Sequence, residues 1–186
     1  RLTDVTGVQT CALPILGNIE DGKKGFVYLL KAMTLVKSDV RVVVVDGGAP
    51  HRLVTNRLID KLGLRKKIHF AGTASTEDLV KLYSQSAIAI VPSVYEGFGF
   101  PAGEAMACGV PVVSSDGGAL PEVVGDAGIV VPARDHEALA EAIDTLINDE
   151  KMMKRFSKAG LERIEKLFNW ESAVEQMIEV YGRLCR

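Results

Sequence analysis

Two glutamates, Glu96 and Glu104, stand with seven residues between them in the stretch YEGFGFPAGEAMACG, residues 95–109. Ionised carboxylates only accept hydrogen bonds, so such a pair suits a ligand that is rich in hydroxyl donors. Gly97 and Gly99 in the intervening loop let a backbone approach a ligand closely. Pro101 sits near the start of the helix that follows and Gly109 at its end, and a helix start offers unpaired N–H donors to a phosphate. The same loop also satisfies G-x-G-x-x-A (Gly97 to Ala102), with Asp116 following a later strand, which is the pattern of a dinucleotide site. A dinucleotide site normally uses the first strand-to-helix turn, whereas this loop comes after earlier strands. Glu104, read as lying in the first turn of the helix, would repel a pyrophosphate seated there and suits sugar hydroxyls better. Taken singly, either glutamate has a plainer role in complementing the helix dipole.

The elements around this loop alternate in type. Val40–Val45 is a β-branched run stopped by Asp46-Gly47-Gly48, and Ile68–Phe70, Ala87–Val91, Pro111–Val113 and Ile129–Val131 have the same character. Continuous apolarity means that both faces of a strand are covered, as in a parallel sheet. Between the strands, Phe26, Leu29, Leu30 and Met33 follow a helical period, as do Val54, Leu58 and Leu62. Ser75-Thr76-Glu77-Asp78 reads as a capping box ahead of Leu79, Leu82 and Tyr83. The expected fold is therefore α/β: a Rossmann-like, doubly wound parallel sheet of about six strands, with extra helices at the C-terminal end. Leu139, Ile143, Leu146 and Ile147 form one late helical stripe behind Asp135. Trp170, Val174, Met177, Ile178 and Tyr181 form another behind Asn169, and both are expected to be packing surfaces.

Composition narrows the function. Among 186 residues, 22 Lys and Arg oppose 24 Asp and Glu, a net charge of −2, so the chain has no basic footprint for nucleic acid. No apolar run approaches the ~20 residues of a membrane span. Cys11, Cys108 and Cys185 lie far apart, and His51, His69 and His136 show no ligand spacing, so no metal site is expected and a reducing, cytoplasmic location is. Residues 1–14 do not share the period of the rest. They read either as the translation of a sequencing adapter or as a frayed native tail, and residues 1–13 are expected to contribute nothing to the core. The remaining stretch, 15–186, is read as one domain.

The segment from Glu96 to Val113 resembles the E-x7-E signature of retaining GT-B glycosyltransferases of family 4, including its EAMA-x-G-x-PVV continuation. The resemblance extends to Gly118–Val124, to Phe168-Asn169-Trp170, and back to Lys24-Gly25-Phe26, Asp46-Gly47-Gly48 and Phe70-Ala71-Gly72. It implies transfer of a hexosyl group from a UDP-, GDP- or ADP-sugar to an acceptor, with retention at the anomeric carbon and without a metal or other cofactor. Glu96 would lie against the donor sugar as the catalytic residue, and Glu104 would accept hydrogen bonds from the ribose. The backbone of Gly97, Phe98, Gly99 and Phe100 would hold the sugar and diphosphate, and Lys24 would neutralise the diphosphate. The loop around Ala74 would frame the base.

One departure concerns the family's Gly-Arg pair, which is Gly17-Asn18 here, so Asn18 contacts the diphosphate without a charge and Lys23 is a helper at most. A GT-B enzyme has two Rossmann-like domains facing a cleft, and the chain matches only the donor-binding second one. It is therefore expected to be inactive alone, its N-terminal acceptor domain being the absent partner and Glu171 to Leu184 the segment that crosses back onto it. Peripheral membrane contact of the whole enzyme stays open. A nucleotide-sugar epimerase and an NAD-dependent oxidoreductase are the alternatives.

Overall fold

A computed structural model describes residues 9–14, 19, 21–45 and 53–185. Six strands form one sheet: β1 (Gln9–Pro14), β2 (Val40–Val45), β3 (Ile68–Gly72), β4 (Ile88–Val91), β5 (Val112–Ser115) and β6 (Gly128–Val131). Their spatial order is β3-β2-β1-β4-β5-β6 and every pairing is parallel. This is the doubly wound order whose direction of winding reverses between β1 and β4 and leaves a crevice at their carboxyl ends.

The strand residues show why these runs are mainly apolar, with Arg41 of β2 the exposed exception in its strand. Val40, Val42 and Val44 of β2 face one buried cluster, while Val43 and Val45 face the other. Ile88 and Ile90 of β4 likewise oppose Ala89 and Val91. Against the first cluster pack α1 (Phe26–Leu35), α2 (Leu53–Lys61) and α6 (His136–Asn148). Against the second pack α3 (Thr76–Ser84), α4 (Phe100–Ala107) and α5 (Leu120–Val124). The long α7 (Glu150–Leu167) serves both, placing Phe156 in the first cluster and Ala159 and Ile164 against the second. The chain ends in α8 (Trp170–Leu184).

Helix starts follow the sequence signals. Ser75 accepts from the Asp78 N–H, Asp135 from those of Glu137 and Ala138, and Asn169 from that of Ser172. Phe26, Leu29, Leu30 and Met33 are buried, as are Leu139, Ile143, Leu146 and Ile147. In and just past α2, Leu58 and Leu62 pack against the first cluster beside the buried Ile59 and Thr55, as expected, whereas Val54 is exposed.

Two expectations are corrected. Gln9–Pro14 is not outside the fold. It is β1, paired with β2 over its whole length (Gln9 with Val40 through Pro14 with Val45) and with β4 through Cys11 and Ala12. The ladder between two parallel neighbours is made by backbone groups, so a segment without hydrophobic period can still occupy the slot. The stripe on α8 is also not a packing surface within the described residues: none of its side chains is buried, and Trp170 is 86% exposed.

Candidate functional site

The loops that follow β1, β4 and β5 meet at the carboxyl edge of the sheet. After β1, residues Gly22–Lys24 make a single 3-10 turn, whose N–H of Lys23 is capped by the Asp21 carboxylate at 3.0 Å. Gly25 then turns the chain into α1 with φ of 66°. A Cβ at Gly25 would lie 1.8 Å from the carbonyl oxygen of Pro92, at the end of β4, so no other residue fits there. The contact is reinforced by the Val94 N–H, which donates to the Lys23 carbonyl at 2.7 Å. This close approach aims Lys24 across the crevice.

Lys24 Nζ donates to Glu96 Oε1 at 2.9 Å, and the two side chains are only 21% and 13% exposed. Ser93 Oγ donates to the same oxygen at 2.8 Å. Glu96 is fixed from the other side by the loop after β5. Its N–H donates to the Gly117 carbonyl at 3.3 Å, and its own carbonyl accepts from the Ala119 N–H at 3.0 Å. At Gly118, with φ of 65°, a Cβ would fall 2.2 Å from the Glu96 carbonyl oxygen. Ser115 Oγ, in turn, donates to the Ser93 carbonyl, so buried hydroxyls brace the base of the loop. Lys23 itself is exposed and takes part through its backbone. Lys24 is therefore a part-buried partner of Glu96 rather than a solvated helix start.

Gly97 and Phe98 continue from this frame into solvent, and a Cβ at Gly97 would touch nothing within 4 Å. Gly99 precedes α4 as its N-cap and has no side chain to cap with, and its carbonyl accepts from the Ala102 and Gly103 N–H groups at 2.9 and 3.2 Å. Phe98 packs against Phe100 with the rings tilted at 43° and 4.9 Å between centroids, and meets Phe168 edge-on at 5.6 Å.

Glu104 lies five residues into α4, not in its first turn, which corrects the sequence expectation. Pro101 is drawn into the helix near its start, so the helix begins earlier than the proline suggested, and dipole complementation no longer accounts for Glu104. Its Oε2 accepts from the Tyr83 hydroxyl at 3.2 Å. Burial raises the Glu104 pKa above the ordinary carboxylate value, and the Tyr83 hydrogen bond works against that rise. Glu104 also lines a cavity of about 450 Å³ between α4 and the α7–α8 junction, with Phe98, Phe100, Ile164, Phe168 and Trp170. Lys24 and Glu96 lie outside that cavity.

The remaining expected residues divide. Ala74, after β3, packs against the cluster that also holds Ala102 and Ala105 of α4. Asn18 and Asp46-Gly47-Gly48 lie outside the described residues. Asp116 accepts from the Ala133 N–H at 2.7 Å and so ties the end of β5 to the chain leaving β6. The G-x-G-x-x-A segment follows the fourth strand in sequence, and neither feature has the placement of a dinucleotide site. Sequence reasoning missed Ser93, Ser115 and Tyr83. A serine at the end of an apolar strand or two residues past it carries no periodic signal, and Tyr83 read as part of a helical stripe.

The family model for "Glycosyl transferases group 1" matches residues 14–163. The MMP alpha-(1->4)-mannosyltransferase of Mycolicibacterium hassiacum is 37% identical over 166 residues, 86% of this chain and 40% of that protein. The solved sucrose-phosphate synthase of Thermosynechococcus elongatus is 33% identical, with a TM-score of 0.83 over 95% of this chain and 45% of its own. An Anabaena protein crystallised with UDP-glucose shares the fold at 22% identity, with a TM-score of 0.83 over 95% of this chain and 49% of its own. The chain thus spans less than half the length of each of these proteins. With its sheet order, its glycine-packed loops and the full E-x7-E segment in place at the carboxyl edge, the chain belongs to the glycosyl transferases group 1 and has the Rossmann-like fold of a GT-B C-terminal domain.

Proposed function

We propose that this chain is the donor-binding half of a retaining hexosyltransferase of family 4, with a nucleoside-diphosphate sugar lying along the crevice between β1 and β4. The observation that carries this reading is the Lys24–Glu96 pair, 2.9 Å apart at that crevice. An ammonium has three donors. Lys24 can therefore hold Glu96 and a phosphate oxygen together, supplying the positive charge that a departing diphosphate needs without a metal. Glu96 Oε1 is taken by Lys24 and Ser93, which leaves Oε2 to accept from a sugar hydroxyl beside the anomeric carbon.

The open backbone of Gly97 to Phe100, leading into α4, favours the diphosphate and sugar. Asn18 adds a neutral donor, Glu104 takes the ribose, and the loop at Ala74 frames the base. The relative named as a mannosyltransferase and the neighbour holding UDP-glucose support a hexose on a nucleotide carrier. The share of its relatives that the chain spans, and the uncovered stripe of α8, support an acceptor site on a second, N-terminal domain. Among the described residues, no helix is long and apolar enough to cross a membrane.

Calorimetry with UDP, GDP and ADP, followed by incubation with nucleotide-sugars and candidate acceptors, tests this proposal. Binding of a nucleoside diphosphate without acceptor-dependent transfer is the expected result. Holding an acceptor in reacting geometry supplies ~7–11 kcal/mol of a barrier, and half a cleft cannot do it. Robust transfer by these 186 residues alone would overturn the half-enzyme reading.

A further inference from the structure

Among the described residues, Tyr83 is the one large polar side chain of the most deeply buried set, 1% exposed, in a cluster with Leu82, Val91, Ala102 and Ala105. A buried phenol keeps its ring in apolar surroundings but must find a partner for its hydroxyl. Here the hydroxyl reaches from the end of α3 to α4, where it meets two acceptors at 3.2 Å each: the Pro101 carbonyl oxygen and Glu104 Oε2. A backbone carbonyl and a side-chain carboxylate of α4 thus converge on one hydroxyl. The phenol has one proton to give. The Pro101 carbonyl already serves the helix ladder, and a carboxylate is the stronger acceptor, so the proton goes to Glu104.

We propose that Tyr83 is the positioning residue for Glu104: its hydroxyl pins Oε2 against α3 and leaves Oε1 turned out for the ligand. This rests on the reading of Glu104 as the ribose acceptor. The Pro101 carbonyl has a part in the device, because it gives the phenol a second acceptor when Glu104 is protonated, and the hydroxyl is never stranded. Around Glu104, the titratable groups on the packed elements are Tyr83 on α3 and Cys108 just past α4. Cys108 is held neutral by burial and by the Glu104 charge, both of which raise its pKa. Ile164, Phe168, Asn169 and Trp170, across the cavity, carry no titratable group. Burial favours the protonated form of Glu104 and Tyr83 favours the carboxylate. Without the phenol, the carboxylate should form only at higher pH and swing more freely.

The experiment is a calorimetric titration of the 186-residue chain with UDP, GDP and ADP from pH 5 to 8. Wild type is compared with Tyr83→Phe, Glu104→Gln and the double variant, and the Glu104 carboxyl is followed by NMR without ligand. Tyr83→Phe keeps the ring and should unfold at nearly the wild-type temperature. It should bind roughly tenfold more weakly at neutral pH, as expected for a charge-assisted hydrogen bond lost from a site. The rise of affinity with pH should move to higher pH, and the carboxyl resonance should titrate higher even with no nucleotide present. In the Glu104→Gln background, the same change should cost nothing more. Unchanged binding and unchanged carboxyl titration in Tyr83→Phe, with Glu104→Gln weakened, would overturn the Tyr83 role alone. So would an equal penalty in both backgrounds, which would mark a packing role. Unchanged binding in Glu104→Gln would overturn the ribose assignment and the Tyr83 role together.

Discussion

The frame around Glu96 and the last helix are opposites. In the frame, three loops from distant parts of the chain touch so closely that Gly25 and Gly118 admit no side chain, and Lys24, Ser93 and Glu96 satisfy one another. In α8, Val174, Met177, Ile178 and Tyr181 make an amphipathic stripe as regular as any in the protein, yet all are exposed. The amphipathic period of α8 equals that of α6, whose Leu139, Ile143, Leu146 and Ile147 are buried. Periodicity therefore declares that a face is meant to be covered, while only packing tells whether the covering surface is present. Lys24, Ser93 and Glu96 find their partners among the described residues, whereas the apolar stripe of α8 finds none there.

The sharpest way to break the frame is Gly25→Ala. A Cβ 1.8 Å from the Pro92 carbonyl, at a positive φ, forces the loop after β1 away from β4. We expect a loss of about 4 kcal/mol in chemical denaturation, at the top of the range for single substitutions. Next is Lys24→Ala, which leaves a mostly buried Glu96 without its cation. Stability should fall by about 1–3 kcal/mol, and nucleoside diphosphate affinity, read by calorimetry, at least about tenfold.

Glu104 stands where the two regions meet and gives a pH test. Its pKa in the folded protein lies above its ordinary value of 4.5, so between the two the folded state holds the proton more tightly than the unfolded chain. Its contribution is most favourable below the ordinary value and declines as pH rises through the raised one. Thermal unfolding across this window should show that decline in wild type and a flatter profile in Glu104→Gln. Nucleotide affinity should move the opposite way, rising with pH as the carboxylate forms. The smallest effect is expected at α8: Ile178→Ser and Trp170→Ser should change stability by less than about 0.5 kcal/mol. Truncating a buried counterpart in α6, Leu146→Ala, should cost about 2–5 kcal/mol. A comparable loss at Ile178 would show that α8 is covered in solution, by a second copy or by the chain itself, which sedimentation would distinguish.

Local order was determined by the sequence alone. Strands buried on both faces are mainly apolar, as Val42 to Val45 are, and several helix starts are marked by a side-chain acceptor, as at Ser75, Asp135 and Asn169. The Glu96–Glu104 segment was legible for the same reason, since its glycines, proline and carboxylates act within one loop and one helix. Tertiary structure decided everything that joins segments across a whole strand–helix–strand unit. It set Lys24 on Glu96, 72 residues away, and Tyr83 on Glu104, 21 away. It made a strand of Gln9–Pro14, whose slot between β2 and β4 is held by backbone hydrogen bonds that leave no side-chain pattern. It also left α8 bare. Periods of two and 3.6 residues report which side of an element faces inward, but the order of strands in the sheet decides which distant residues meet.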